Sequence, residues 1–501
     1  MLMDSALNRV PALNDVGIRK FYNGPESFTP DNQFILGAAP EVAGFYVGAG
    51  FNSVGIASAG GAGRALAEWI VEGEPTSDLT GVDIRRFAPF QGNIRWLHDR
   101  VGEILGLHYA VPWPNRELAS ARPFRRSPLH ESLAAAGAVF GSRMGWERPL
   151  VFGPPSLDYA WDKPAWLPFS VAEQLSTRTG VTVFDQTSFS KYVVEGPGAT
   201  EALQWLCTAD VDVPVGRCVY TGLLNARGTY ESDLTVTRTG PSSYLLVSSA
   251  ATTVRDQDHL RRHLPPGVGE VTITDVSTAY SVLGVMGPSS RALLSRLTPA
   301  DLDDFPFGTS REIDLGHARV RATRITYVGE LGWELMVPVE LAALVHADLL
   351  AVGARPGGYY AIESLRLEKG YRAFGRELTP DVTPVEAGLL FACKLRTDID
   401  FLGRTAVEAA REAGASRRLV SFVVDSPEPM LWGGELLLRD GSPVGQVTSA
   451  AWGETVGGCV GLAWSAGGAL EGDYSVDVGG AVFPVTVSLK PPYDPSAERV
   501  R

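Results

Sequence analysis

Apolar residues in this chain form short runs whose spacing alternates between the two-residue period of strands and the longer period of helices. Val219 to Leu224 is one such run and Leu234-Thr235-Val236 is another, with Asn225-Ala226-Arg227-Gly228 between them. Asn and Gly accept positive φ at low cost, so this segment predicts a hairpin with a tight turn at 225–228. Phe45 to Gly50 predicts a short buried strand ending in glycines, and Arg64 to Val71 has helical spacing after a glycine-rich loop. Asn93 to Leu105 predicts a helix, Leu129 to Ala136 a shorter one stopped by Gly137, and Ala199 to Thr208 one with an apolar face of Leu203, Trp205 and Leu206. Ser281 to Pro288 predicts another buried strand. From Arg418 onward the strands are short and evenly spaced, which predicts a small barrel, with Pro484 marking the last strand as an edge. The expected fold class is α+β with antiparallel sheets.

Composition narrows the function. The 501 residues are 45% hydrophobic and 20% charged, as in a globular protein of several domains. A net charge of −13 argues against general nucleic-acid binding and against a basic membrane-binding patch. No window approaches the ~20 apolar residues of a membrane span. The N-terminus shows no basic stretch followed by an apolar run, so no signal peptide is expected. Cys207, Cys218, Cys393 and Cys459 have no metal-ligand spacing. No metal site is expected, and a reducing, cytoplasmic compartment fits best.

The chemistry centres on Asp233, a carboxylate on the second strand of the predicted hairpin as that strand enters an apolar core. Such a group is either satisfied by turn amides or kept for a polar ligand. The stretch from Asn225 to Val236 resembles the folate-site segment of the glycine-cleavage T-protein, and more closely the C-terminal half of dimethylglycine and sarcosine dehydrogenases. Three further segments resemble that family in the same order: Thr326 to Glu334 with Tyr-x-Gly-Glu-x-Gly-Trp-Glu, the Ser364-Leu365-Arg366-Leu367-Glu368 helix, and Thr383-Pro384-Val385-Glu386-Ala387-Gly388-Leu389. The resemblance implies tetrahydrofolate as ligand. Glu334 would hold the pterin edge, Tyr327 and Tyr220 would line the pocket, Arg366 would offer a cation near the glutamate tail, and Asp233 would manage the proton beside N10. Without the resemblance, Tyr327 and Glu334 read as ordinary hairpin residues, and Arg366 with Glu363 and Glu368 as a surface salt-bridge set.

The first 85 residues resemble the later part of a flavin domain. By that match Gly50, Phe51, Asn52, Ser53, Gly55 and Ile56 would face FAD. The family's opening strand with Gly-x-Gly-x-x-Gly is not found in this sequence, and no histidine occurs before His98. FAD is therefore expected only if a missing half is supplied, for example by a flavoprotein partner chain. The expected division is 1–85 partial flavin-oxidoreductase domain, 86–145 linker domain, 146–415 folate-binding domain and 416–501 β-barrel. The expected function is tetrahydrofolate-dependent one-carbon handling in the oxidative N-demethylation of a methylated amine. The alternatives are a flavin-independent aminomethyltransferase and a folate-binding subunit of a split flavoenzyme.

Overall fold

In the computed structural model, residues 2–467 and 470–500 are described, excluding the Leu2 side chain. Strands β1 (Ile35–Ala38) and β2 (Tyr46–Ala49) pair antiparallel and lead into the helix Gly55–Glu72. A connector carrying the helix Ile94–Leu107 follows, then the two-stranded ladder of β3 (Ala138–Arg143) and β4 (Trp146–Phe152).

Two sheets then build the middle of the molecule. Their strands are β5 (Thr182–Asp185), β6 (Ser190–Glu195), β7 (Cys218–Leu224), β8 (Tyr230–Gly240), β9 (Ser243–Ser248), β10 (Thr272–Asp275), β11 (Tyr280–Met286), β12 (Ser310–Leu315), β13 (Ala318–Thr323), β14 (Gly332–Pro338) and β15 (Arg355–Gly357). One sheet has the order β10-β6-β9-β8-β7 and the other β12-β13-β14-β11-β5-β15. Mixed helix and sheet in several domains is thus the observed class. One ladder departs from the antiparallel expectation: β15 runs parallel to β5, reached through the helix Ala342–Ala351. A crossover helix of this kind is what permits a parallel neighbour.

The 225–228 turn forms as expected. Asn225 Oδ1 accepts from the Arg227 and Thr229 amides, and Gly228 has φ 73°. A Cβ on Gly228 would come within 3.0 Å of Ala406 Cβ and the Val407 amide, so the turn also packs closely on a later helix.

The C-terminal strands β16 (Arg417–Val424), β17 (Leu436–Arg439), β18 (Ser442–Gly453), β19 (Gly458–Ala466), β20 (Tyr474–Val478) and β21 (Ala481–Ser488) close into a barrel. Pro484 therefore does not mark an edge, because β21 pairs with both β20 and β16. Its ladder with β16 ends at Val485, next to the proline, so the missing N–H interrupts no bond on that side.

Buried charges join these parts. On the helix Tyr359–Glu368, Glu368 accepts from Arg178 Nη2 at 2.7 Å and from the Thr455 amide at 2.9 Å, which docks the barrel. At the other end Arg255 bridges Asp83 of the N-terminal region and Glu231 of β8. Arg85 binds Asp83 at 2.6 Å and Asp258 at 3.1 Å. Burial alone would raise the Asp83 pKa, yet Arg85 and Arg255 hold it below the ordinary carboxylate value.

Removing one member of such a network leaves opposite charges buried without compensation. Arg255→Ala is expected to destabilise the protein by about 3–5 kcal/mol, read from urea or guanidinium unfolding midpoints. An unchanged midpoint would show that the network adds nothing.

Candidate functional site

The two-residue period of β8 sets the first wall. Leu234 and Val236 enter a core with Tyr192, Val194 and Leu246, so Asp233 and Thr235 take the opposite face and line a cavity of about 970 Å³. In the β7–β8 register Tyr220 opposes Thr235, one step diagonally from Asp233 on the same face. The Tyr220 hydroxyl donates to Asp233 Oδ2 at 2.9 Å. Burial pushes the Asp233 carboxyl up to about 6; the Tyr220 hydrogen bond opposes this, and Asp256 reinforces it by repulsion.

The second wall follows the same logic. On β14, Trp333, Leu335 and Val337 are core, which turns Glu334 toward the cavity. Glu334 accepts no hydrogen bond and makes no ion pair among the described residues, and burial alone raises it to about 7. Its cross-strand neighbour Gly284 carries no side chain. A Cβ there would lie 2.4 Å from Gln186 Oε1, so the glycine makes room for that amide. Gln186 lines the cavity too, and its Oε1 is buried without a partner. Two unpartnered acceptors in one desolvated space fit the N–H-rich edge of a pterin.

Tyr327 lies on the loop before β14 rather than on a strand. It lines the cavity, stacks on Tyr371 at 5.8 Å, and donates from its hydroxyl to the Arg372 carbonyl at 2.9 Å.

Arg366 corrects the sequence expectation. It is fully buried and absent from the cavity wall, with Nη2 donating to Glu363 at 2.5 Å and Nη1 to Glu377 at 2.9 Å. Glu377 also accepts from Thr448 and Ser449 of β18. Arg366 therefore fixes the wall from behind and presents Glu363 to the cavity, rather than offering a free cation. Of the expected salt-bridge set, Arg366 pairs with Glu363, whose side chain faces the cavity, while Glu368 pairs with Arg178 instead.

The flavin-type segment lies apart from this cavity. Gly50 has φ 62°, and a Cβ there would meet Thr29 Cγ2 at 2.5 Å, so its space is filled by protein rather than kept for a ring. Asn52 is buried: Oδ1 accepts from the Thr29 amide and Nδ2 donates to the Gly50 carbonyl, so its side chain holds the loop and does not face outward. Phe51 stacks on Phe34 at 5.0 Å. Ser53 and Ile56 are exposed, and Gly55 opens the helix. By itself this surface offers one wall and no charged group, which does not make a complete flavin site.

Besides Gln186, the sequence reading passed over Tyr359, Glu363, Arg148 and Arg372, all on the cavity wall. Gln186 directly follows Asp185, the last residue of β5. The others come from distant segments that only the fold brings together.

Comparisons with known proteins place the chain by family and fold. Residues 129–397 match the family GCVT N-terminal domain, and 417–494 match the glycine cleavage T-protein C-terminal barrel domain. Residues 1–69 match the FAD dependent oxidoreductase family, and 72–127 its central domain. Human mitochondrial sarcosine dehydrogenase is 38% identical, over 100% of this chain and 60% of that protein. A 4-methylaminobutanoate oxidase (formaldehyde-forming) of Paenarthrobacter nicotinovorans is 39% identical, over 98% of this chain and 61% of that one. The chain thus spans about three-fifths of the length of these relatives. The crystal structure of the glycine cleavage system aminomethyltransferase T from Bartonella henselae superposes with a TM-score of 0.64 and 27% identity, covering 73% of this chain and 97% of that one.

The raised carboxyls have a thermodynamic consequence. Glu334 rises from 4.5 to about 7 on folding, so the folded state binds its proton more tightly than the unfolded state. The contribution of this group is fully present below pH 4.5 and is lost as pH rises through about 7. Glu334→Gln should remove that fall and leave the protein about 1–3 kcal/mol more stable than the parent at about pH 8, as read from unfolding curves across pH. Parallel pH dependences in the two proteins would contradict the assignment.

Proposed function

The chain belongs to the glycine-cleavage T-protein family, in the branch joined to an FAD-dependent oxidoreductase, and from that premise we propose that it captures one-carbon units on tetrahydrofolate during oxidative N-demethylation of a methylated amine. One observation carries the reading: the unpartnered, half-buried carboxylate of Glu334 shares a cavity with the elevated carboxyl of Asp233.

Tetrahydrofolate supplies N5 and N10, the amines that accept the one-carbon unit to give methylenetetrahydrofolate. The rest is done by this chain's side chains. Glu334 accepts two N–H bonds from the pterin edge, and the ligand's donors then stabilise the ionised carboxylate that burial disfavours. Tyr327 and Tyr220 supply aromatic walls. Tyr220 fixes Asp233 through Oδ2, which leaves Oδ1 as the oxygen that exchanges a proton at N10. A carboxyl near 6 works on either side of that exchange close to neutral pH. The fully buried Arg366 keeps this wall in place.

Amine oxidation is proposed for the whole protein. For FAD, Ser53, Gly55 and Ile56 would form one wall, with a flavoprotein surface outside these residues as the other. No redox step is assigned to this chain's residues. The likeness to aminomethyltransferase T favours a second reading, folate-dependent transfer without flavin. A flavin absorption spectrum in purified protein supports the first reading; transfer by colourless protein supports the second. The domain division at 1–85, 86–145, 146–415 and 416–501 is proposed alongside. A reducing compartment, the cytoplasm, is proposed from the four free, buried cysteines.

Glu334→Ala is expected to weaken tetrahydrofolate binding about 10- to 100-fold by calorimetry, the loss of charge-assisted hydrogen bonds. Asp233→Asn should leave that binding within a few-fold and slow one-carbon transfer about 100-fold or more, since it removes the proton-exchanging group. Full transfer rates in both variants would sink the assignment.

A further inference from the structure

The side of the cavity lined by the β3–β4 ladder carries an excess of positive charge. Arg143 and Arg148 of the β3–β4 ladder and Arg376 from the loop after the helix Tyr359–Glu368 all line it. None of the three guanidiniums makes an ion pair or a side-chain hydrogen bond among the described residues. Arg148 lies over the Tyr359 ring at 3.4 Å, and its Nε is buried without a partner. Arg143 and Arg376 are exposed where they line the cavity, while Arg148 is half-buried.

The neighbouring acids do not cancel this charge at contact distance. Glu363 is held by Arg366, while Glu117 accepts from the Ser142 amide at 2.8 Å and lies 3.9 Å from Arg122. The chain as a whole carries −13, so three uncompensated arginines in one cavity run against its overall balance. Like charges brought together repel, and folding tolerates them where a ligand supplies the counter-charge. The planar fork of arginine matches a carboxylate.

We propose that Arg143, Arg148 and Arg376 form a carboxylate-binding subsite on the side of the cavity lined by the β3–β4 ladder. The inference rests on the one-carbon reading above, which provides two sources of that chemistry. One is the carboxylate of an amino-acid donor of the one-carbon unit, held while its nitrogen end reaches toward Asp233. The other is the glutamyl tail of the folate.

The test uses the full chain and its Arg143→Gln/Arg376→Gln double variant, titrated by tryptophan fluorescence. The probes are sarcosine, dimethylamine as its carboxylate-free control, and tetrahydrofolate bearing one or three glutamyl residues. An approximately tenfold loss for sarcosine alone in the double variant supports the subsite with the donor as source. Loss of the three-glutamyl advantage alone supports it with the tail as source, and loss of both supports a shared subsite. The Arg143→Lys/Arg376→Lys pair should recover part of the binding, which separates charge from misfolding. Unchanged affinities for sarcosine and for both folates overturn the proposal and leave the one-carbon reading standing. A parent chain that binds sarcosine through these arginines but neither folate would instead overturn the one-carbon reading.

Discussion

A half-buried carboxylate without a partner is costly, and this structure carries one at Glu334. The group is tolerated because β14 has no freedom to turn it elsewhere. Trp333, Leu335 and Val337 are each essentially inaccessible, and rotating the strand to hydrate Glu334 would expose all three. The apolar side of the strand therefore holds the polar side in an unfavourable place. The same constraint acts on Asp233, between Leu234 and the rest of β8. An acid kept protonatable near neutrality is the result of that geometry.

Two sets of buried charges are compensated, and the contrast separates framework from site. Arg366 pairs with both Glu377 and Glu363 and so joins helix, loop and barrel. Arg255, Arg85, Asp83, Asp258 and Glu231 do the same between the N-terminal region and the hairpin. Glu231 also accepts from Asn225, so the turn, the domain junction and the strand bearing Asp233 belong to one connected set. Partnered ions lock positions, and unpartnered polar groups such as Glu334 and Gln186 mark where the molecule receives something else.

How much of this was legible in the sequence depended on how local the physics was. The hairpin and the position of Asp233 on its second strand were readable because turn chemistry and period-two spacing act within a few residues, whereas Tyr220 came from the resemblance. Glu334 and Tyr327 were readable through family resemblance, although Tyr327 lies on a loop. Arg366 as a free cation came from the resemblance, which carries a residue's position but not its partners; helix spacing named its neighbour Glu363, yet not that the barrel covers that face. Pro484 was misread because an edge is a property of the closed sheet rather than of the residue. The parallel β15 needs a crossover that no local pattern announces.

The cavity wall itself illustrates the limit. Its acidic side comes from strands of the two sheets, where burial periodicity can be counted along one stretch of chain. Its basic side is assembled from a hairpin near residue 145 and a loop near residue 376. Nothing in either segment alone distinguishes an arginine that faces solvent from one that faces a ligand. The distinction arises only when the connector, the hairpin and the loop after the Tyr359–Glu368 helix close on the same space, and each guanidinium is left without the carboxylate that a surface arginine commonly finds. Charge compensation, rather than sequence motif, is thus the property that defines that half of the cavity.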